Sequence, residues 1–188
     1  MIELFREAQR FQHFLEQHTW PFCFIGGIAV QHWGEPRVTR DLDVTVFTGF
    51  GNEVPVVDGL LAAYAGRRPD ARDFALRHRV LLLSISGNIA VDVALGALAF
   101  EREMVARSVV VEFQPGVALR ICSAEDLMVL KAFAYRLQDR ADLVGIARRQ
   151  GATLAWDAVL DRLTPLAEAK GDAEIMPAVR ALRVEFAR

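Results

Sequence analysis

The chain has few of the residues and segments that mark several large protein classes. It has only two cysteines, Cys23 and Cys122, in 188 residues, and neither belongs to a Cys/His spacing typical of a metal site. Both cysteines lie within apolar stretches. We therefore interpret them as buried free thiols of a protein in a reducing compartment.

Long hydrophobic runs are also absent, since every apolar run is far shorter than the ~20 residues needed to cross a bilayer. Residues 1–7 are acidic and amphipathic and do not resemble a signal peptide. The formal net charge of −2 lacks the basic excess of a dedicated DNA-binding protein, and only the pairs Arg67-Arg68 and Arg148-Arg149 could line a local basic groove. We therefore expect a cytoplasmic protein without a membrane partner or a sequence-specific DNA partner.

The composition is that of a folded domain, with 53% apolar and 24% charged residues. Strand-like patterns dominate residues 22–121, and helical patterns dominate residues 123–188. The sequence therefore predicts an α/β (α+β) protein, with a core over residues 1–122 and a C-terminal helical region over 123–188 that packs on the core.

The local patterns predict the individual elements. Apolar spacing and turn residues predict helices over 2–16, 28–33 and 57–65, and strands over 22–25, 42–47, 80–86, 89–95, 109–113 and 117–121. Turns at Gly87-Asn88 and at 114–116 predict two hairpins, and Ser123 has the form of a helix N-cap. Residues 66–79 have the charged, poorly periodic character of a loop, and 97–107 are ambiguous.

Three carboxylates lie on predicted strands. Asp41 and Asp43 alternate with Leu42, so both should project from one face while Leu42 points into the core. Asp92 interrupts an otherwise apolar strand, where an unpaired carboxylate would be costly. Two carboxylates held close together repel unless a cation lies between them or one is protonated, and Mg²⁺ held by carboxylates and substrate phosphates is the usual solution. A metal-phosphate site is the leading hypothesis.

The order of these residues resembles the DNA polymerase β-like nucleotidyltransferase superfamily. The pattern is a Gly26-Gly27 pair, a gap of thirteen residues, the pair Asp41 and Asp43, and a later strand carboxylate, Asp92. Residues 26–43 are also similar to the bacterial branch that contains the AbiEii-type toxins. Residues 123–131, with their Glu-Asp-Leu and Lys131, and the following Arg136, Asp139 and Asp142 resemble a helix of the same branch.

The resemblance implies a mixed β-sheet with flanking helices and a two-metal transfer of NMP from an NTP to an acceptor hydroxyl. Asp41, Asp43 and Asp92 would be the catalytic residues and the ligands of Mg²⁺ or Mn²⁺, and Asp92 would help to take the hydroxyl proton. The predicted nucleotide-binding residues are Gly26, Gly27, Arg37, Arg40 and Lys131, since glycines admit phosphate oxygens and cations neutralise them.

Structural roles compete with these assignments. Asp41 and Asp43 could be solvated carboxylates at a strand edge, and Lys131 could extend its ammonium group outward from the rim of the core. Arg136, Asp139 and Asp142 most simply form ion pairs that orient their helix.

The acceptor is open among tRNA, protein and a small molecule such as an antibiotic. On the toxin branch, an antitoxin protein would be the partner. A non-catalytic nucleotide-binding or regulatory module that keeps the fold is the alternative to an enzyme.

Overall fold

The computed structural model describes residues 2–86 and 89–187, and the chain divides into two compact units. The first unit comprises Met1–Ile28 and Val38–Cys122, and the second comprises Ala29–Arg37 and Ser123–Arg188. The predicted domain boundary after residue 122 stays a prediction, because contacts within one structure do not show that either segment folds alone.

The first unit is built on a mixed β-sheet. Its strands are β1 (Phe22–Phe24), β2 (Asp41–Phe47), β3 (Ala65–Gly66), β4 (Val80–Ile85), β5 (Ile89–Gly96), β6 (Val109–Gln114) and β7 (Val117–Ile121). Within the described residues they form a seven-stranded sheet in the order β3-β4-β5-β2-β1-β7-β6. The pairs β1–β7 and β2–β5 are parallel and the other neighbours are antiparallel. This confirms the predicted α/β class.

Both predicted hairpins have the expected strand pairing. Strand β4 pairs with β5, and β6 pairs with β7, each in the antiparallel sense. The predicted turn residues Gly87 and Asn88 lie outside the described residues. Cys23 and Cys122 are both fully buried and form no disulfide bond with each other, as predicted.

The main core lies on one face of β2 and β5, although Thr45 of β2 and all three residues of β1 are also buried. In β2 the side chains of Leu42, Val44 and Val46 have no exposed surface, and in β5 the same is true of Val91 and Val93. A period of two therefore separates a core face from a second, partly exposed face. Each fully buried aliphatic side chain of this kind contributes roughly 1.5–3 kcal/mol through burial.

Helices cover the strands of this unit. They are α1 (Ile2–Gln17), α3 (Glu53–Ala63), α4 (Ala71–His78) and α5 (Ala99–Ala106), and α2 (Gly26–Trp33) begins in the first unit and continues into the second. Helix α1 contacts β7, α4 contacts β4, and α5 contacts β1 and β2. The predicted first helix is confirmed, with Leu4, Ala8, Phe11 and Leu15 on its buried face.

The prediction of a loop over residues 66–79 is wrong. This segment contains the end of β3 and all of α4. Helix α4 buries only the small side chains of Ala71 and Ala75, so its apolar period is weak in a sequence otherwise rich in charge. The helix then ends at Arg79, which adopts the left-handed conformation.

Three other helix assignments also differ from the predictions. Helix α2 begins at Gly26 rather than after the glycine pair, and α3 begins at Glu53, four residues before the predicted start. The ambiguous segment after β5 forms α5, where the Glu101 carboxylate accepts hydrogen bonds from the backbone N–H groups of Ala97 and Leu98.

The second unit is helical. Its helices are α6 (Ala124–Ala134), α7 (Leu137–Gln150), α8 (Trp156–Lys170) and α9 (Ile175–Phe186), and α6 contacts the other three. The predicted N-cap is confirmed, because Ser123 Oγ accepts a hydrogen bond from the Asp126 N–H at 3.1 Å. Among the described residues, the structure has no helix that is both long enough and apolar enough to cross a membrane.

Candidate active site

Two of the predicted carboxylates occupy matched positions on neighbouring strands. In the parallel pairing of β2 with β5, Asp43 lies opposite Asp92 and Asp41 lies opposite Ala90. Paired strands are about 4.8 Å apart, so the side chains of Asp43 and Asp92 leave the same face side by side. Asp41 lies two residues before Asp43, on the same face of β2.

This face of the sheet is open to solvent around the three carboxylates, whereas Thr45 further along β2 is buried. Asp41 is exposed and Asp43 is half-buried, whereas Leu42 between them is fully buried. The side chain of Asp92 is 42% exposed and is paired with an arginine. Asp92 is thus partnered, and the buried side chains of β5, such as Val91 and Val93, lie on the opposite face of the strand.

Gly26 brings the start of α2 against the Asp43 carboxylate. Gly26 has a φ of +55°, and a Cβ at this position would lie 1.9 Å from Asp43 Oδ2. The backbone N–H of Ile25 also donates to the Asp43 carbonyl oxygen at 2.9 Å. Only glycine satisfies both the backbone angle and the lack of space, so Gly26 fixes where the Asp43 side chain lies.

Gly27 has a similar relation to Thr39. A Cβ on Gly27 would lie 1.9 Å from Thr39 Oγ1, and Thr39 is 8% exposed. The segment that leads into β2 therefore packs directly on the backbone of α2. In the structure, the glycine pair admits the side chains of Asp43 and Thr39, and its predicted contact with phosphate stays a prediction.

Arg67, named from the sequence only as part of a possible basic groove, belongs to this site. Its guanidinium group forms an ion pair with Asp92. The Arg67 N–H donates to the carbonyl oxygen of Leu82 at 2.9 Å, and Leu82 lies opposite Asp92 in the β4–β5 pairing. The contact depends on pairing between distant strands, so no local pattern could have revealed it.

Two of the predicted nucleotide-binding cations lie in the second unit and are ion-paired there. Lys131 Nζ lies 2.9 Å from Asp139 Oδ1 and 2.8 Å from Asp142 Oδ2, and Lys131 is only 7% exposed. Arg37 binds Asp142 in a bidentate manner at 2.8 and 3.0 Å, and Arg136 pairs with Asp139. The predicted ion pairs of Arg136, Asp139 and Asp142 are thus confirmed.

The cations around Asp139 and Asp142 form one ion-pair network with them, and this network favours the charged form of both carboxyl groups. Burial alone would raise the pKa of Asp142, but hydrogen bonds from Arg37 and Lys131 outweigh it and hold the pKa below the ordinary value. The pKa of Asp139 is lowered in the same way, since hydrogen bonds from Arg136 and Lys131 outweigh the effect of burial. Both groups are therefore ionised at neutral pH.

The remaining predicted cation, Arg40, belongs to the first unit. Arg40 is exposed and directly precedes Asp41 on β2. The structure thus brings together Asp43, Asp92 and Gly26, with Asp41 and Arg40 at the start of the same strand.

Comparison with known proteins gives a match at the level of fold. Searches against protein-family models and against curated proteins gave no match. Among solved structures, an antigenic nucleotidyltransferase-like protein from Paracoccidioides brasiliensis matches over 96% of this chain and 94% of its own, with a TM-score of 0.54 and 14% identity. The chain has a nucleotidyltransferase-like fold.

A second solved structure, of the antibiotic-resistance factor ANT(2'')-Ia, matches over 97% of this chain and 89% of its own, with a TM-score of 0.47 and 17% identity. Likeness in fold at such identities does not distinguish the branches of a superfamily. The AbiEii-type branch therefore stays a prediction.

The arrangement of the three carboxylates determines how they could hold a divalent cation. Among the described residues, no group of three His, Cys, Asp or Glu side chains is placed to hold a metal ion, so Asp41, Asp43 and Asp92 are not gathered into a ready set of three. The adjacent pair Asp43 and Asp92 does fit Mg²⁺, which is commonly bound by one or two carboxylates together with water and substrate phosphates. The assignment of all three as ligands stays a prediction.

Proposed function

We propose that the protein is a metal-dependent nucleotidyltransferase that transfers NMP from an NTP such as ATP to an acceptor hydroxyl and releases pyrophosphate. One observation carries this proposal: Asp43 and Asp92 lie opposite each other on parallel strands of a nucleotidyltransferase-like fold. Two carboxylates on one open sheet face form the kind of site that a divalent cation and a triphosphate would share.

The transfer consists of one bond made and one bond broken. The acceptor oxygen attacks the α-phosphorus, the bond from that phosphorus to the pyrophosphate oxygen breaks, and the hydroxyl proton passes to Asp92 or to water. Asp41, Asp43 and Asp92 would hold Mg²⁺ or Mn²⁺. Divalent ions held there would supply activation of the hydroxyl and neutralisation of the leaving pyrophosphate.

The chain's own residues would orient the nucleotide. The first turn of α2, at Gly26 and Gly27, offers backbone N–H groups and the positive end of a helix dipole to phosphate oxygens. Arg40, exposed and next to Asp41 in the chain, would contact a phosphate bound there. Nucleotide contacts by Arg37 and Lys131 also belong to the proposal, although both already stabilise the helical unit through their ion pairs.

The test is transfer of label from each α-³²P-NTP, with Mg²⁺ or Mn²⁺, to total RNA, lysate proteins and a panel of aminoglycosides. Asp43→Asn should reduce transfer at least ~100-fold, since it removes a carboxylate that would hold the cation stabilising the charge developed on the phosphate oxygens. Asp58→Asn is the matched control, because Asp58 is an exposed carboxylate of the same unit that pairs with Arg72. Equal loss in both variants would contradict the proposed role of Asp43.

The acceptor that carries label would identify the branch. Label in RNA or protein would favour a toxin, with an antitoxin as partner, whereas label in an aminoglycoside would favour a drug-modifying enzyme. Metal-dependent NTP binding without transfer to any acceptor would instead favour the non-catalytic, regulatory module.

A further inference from the structure

Arg67 is held in place to reach the carboxylate face. Its backbone N–H is bonded to Leu82, and Leu82 is the neighbour of Asp92 across β4 and β5. One row that runs across the strands therefore contains, in order, Arg67, Leu82, Asp92 and Asp43. From the end of this row, the Arg67 side chain extends over Leu82 to Asp92 Oδ1.

The charges in this row explain why an arginine is stable there. Asp43 and Asp92 are neighbours of like charge, and their repulsion is relieved by any cation that binds one of them. The Arg67 guanidinium group is such a cation, and it cannot lose its charge. It therefore compensates the negative charge of Asp92, as a divalent ion bound there would.

We propose that Arg67 is a latch on Asp92 that competes with the divalent cation, so that metal binding requires Arg67 to leave. This inference rests on the proposed function, because it concerns the same metal site. The ion pair is suited to exchange, since the side chains of Arg67 and Asp92 are 34% and 42% exposed and an ion pair of this kind is modest in strength. Arg67 is thus a regulatory residue of the site.

The experiment measures the affinity of the purified protein for Mn²⁺ alone, by electron paramagnetic resonance of the free ion, without nucleotide or turnover. Arg67→Ala should bind Mn²⁺ about 1.5- to 5-fold more tightly than wild type, the range expected from release of a partly exposed ion pair. Thermal unfolding of each variant checks that the comparison is made between folded proteins.

Arg68→Ala provides the matched control. It removes the same charge at the next residue, but Arg68 pairs with Asp70 at 2.8 Å and stacks on Phe74 rather than contacting Asp92. A general increase in negative potential would tighten Mn²⁺ binding equally in both variants. The latch predicts tightening that is clearly larger in Arg67→Ala.

Asp92→Asn adds a test of the pair itself. In the Asp92→Asn background, Arg67→Ala should give no more tightening than Arg68→Ala does, because the carboxylate for which Arg67 competes is gone. Wild-type binding of Mn²⁺ that Arg67→Ala leaves unchanged or weakens would overturn the latch while leaving the metal site intact. Failure of every variant and of wild type to bind Mn²⁺ would overturn the metal site and the latch together.

Discussion

Gly26 meets two requirements at a single residue. Its φ of +55° lies in the left-handed region, and its Cα faces the Asp43 carboxylate with no room for a methyl group. Either requirement alone would favour glycine, but only the second is specific to the site. Substitution at Gly26 should therefore affect the position of Asp43 as well as the stability of the fold.

The first prediction separates these two effects. Gly26→Ala should lower the free energy of unfolding by more than the roughly 1–2 kcal/mol expected for a left-handed alanine, and should also abolish most NMP transfer. Gly116→Ala is the control, since Gly116 has a φ of +76° and an added Cβ would have no described atom beyond the adjacent residues within 4 Å. Chemical denaturation and the labelled-NTP assay would measure both variants.

Gly116→Ala should show the cost of the backbone angle alone and leave transfer unchanged. The proposed positioning of Asp43 would be wrong if Gly26→Ala cost no more stability than Gly116→Ala and retained full transfer.

The sequence predicted single residues well where the prediction depended on the alternation of side chains along a strand. Asp41 and Asp43 share a face because Leu42 between them is buried, and this follows from the period of a strand. The contacts of Arg67 with Asp92 and of Thr39 with Gly27 were not predicted, because they are set by tertiary structure. No spacing within the segment around either residue carries that information.

At the scale of elements, α6 and α7 share a buried cation. Lys131 of α6 contacts Asp139 and Asp142 of α7, and Asp139 and Asp142 are 1% and 4% exposed. A buried ion pair stabilises a protein little more than well-packed apolar side chains would. Removing one partner, however, leaves the other as an uncompensated buried charge, which is strongly destabilising. The network therefore makes the packing of these helices sensitive to loss of the ammonium group.

The second prediction is that Lys131→Ala destabilises the protein by about 3 kcal/mol. Arg37 and Arg136 remain beside the two carboxylates, so the lower end of the range for a broken buried pair is expected. Arg183→Ala is the control, because its pair with Asp157 is exposed and should contribute less than about 1 kcal/mol. Urea denaturation at pH 7 measures both, and similar small losses would contradict this account of the network.

The third prediction concerns acid. The pKa values of Asp139 and Asp142 are lower in the folded state than their ordinary values, so these groups bind fewer protons when folded. Their contribution to stability is present above the ordinary carboxyl pKa of about 3.9 and is lost as the pH falls through the lower, folded-state pKa values.

The test is to measure the unfolding free energies of wild type and Lys131→Ala from pH 7 to pH 2. It checks whether the contribution of the two carboxylates is lost as the pH falls. The difference between the two proteins should shrink as the pH falls below about 4, because protonated carboxyl groups no longer depend on the ammonium group. A difference that stays constant or grows toward low pH would show that the ion pairs do not lower these pKa values.

Elements with strong patterns were predicted well, and elements with weak patterns were not. Helix α1 buries three large apolar side chains, Leu4, Phe11 and Leu15, at helical spacing, whereas α4 buries only two alanines among charged residues. The pattern of α4 is weak because it contacts the sheet through small side chains. Helices of this kind are stabilised by tertiary contacts that the local sequence does not show.

At the scale of the whole molecule, the α/β class followed from the order of strand-like and helical segments. The strand order did not, because β1 pairs with β2 on one side and with β7 on the other, and the second pairing joins distant segments. The resemblance to nucleotidyltransferases supplied the mixed sheet and the three carboxylates, and the structural match supports the fold. The acceptor is set by surfaces that vary within a fold, so the same reasoning does not reach it.

The pairing of Phe24 in β1 with Ile121 in β7 has a consequence for synthesis of the chain. Until the ribosome has released residue 121, one edge of β1 has no partner, although β2 and β5 can already pair. Strand pairings between segments that are far apart in the sequence form slowly, and an unpaired strand edge can pair with another chain and so promotes aggregation. During translation the sheet therefore stays open at this edge of β1 until β7 has been synthesised.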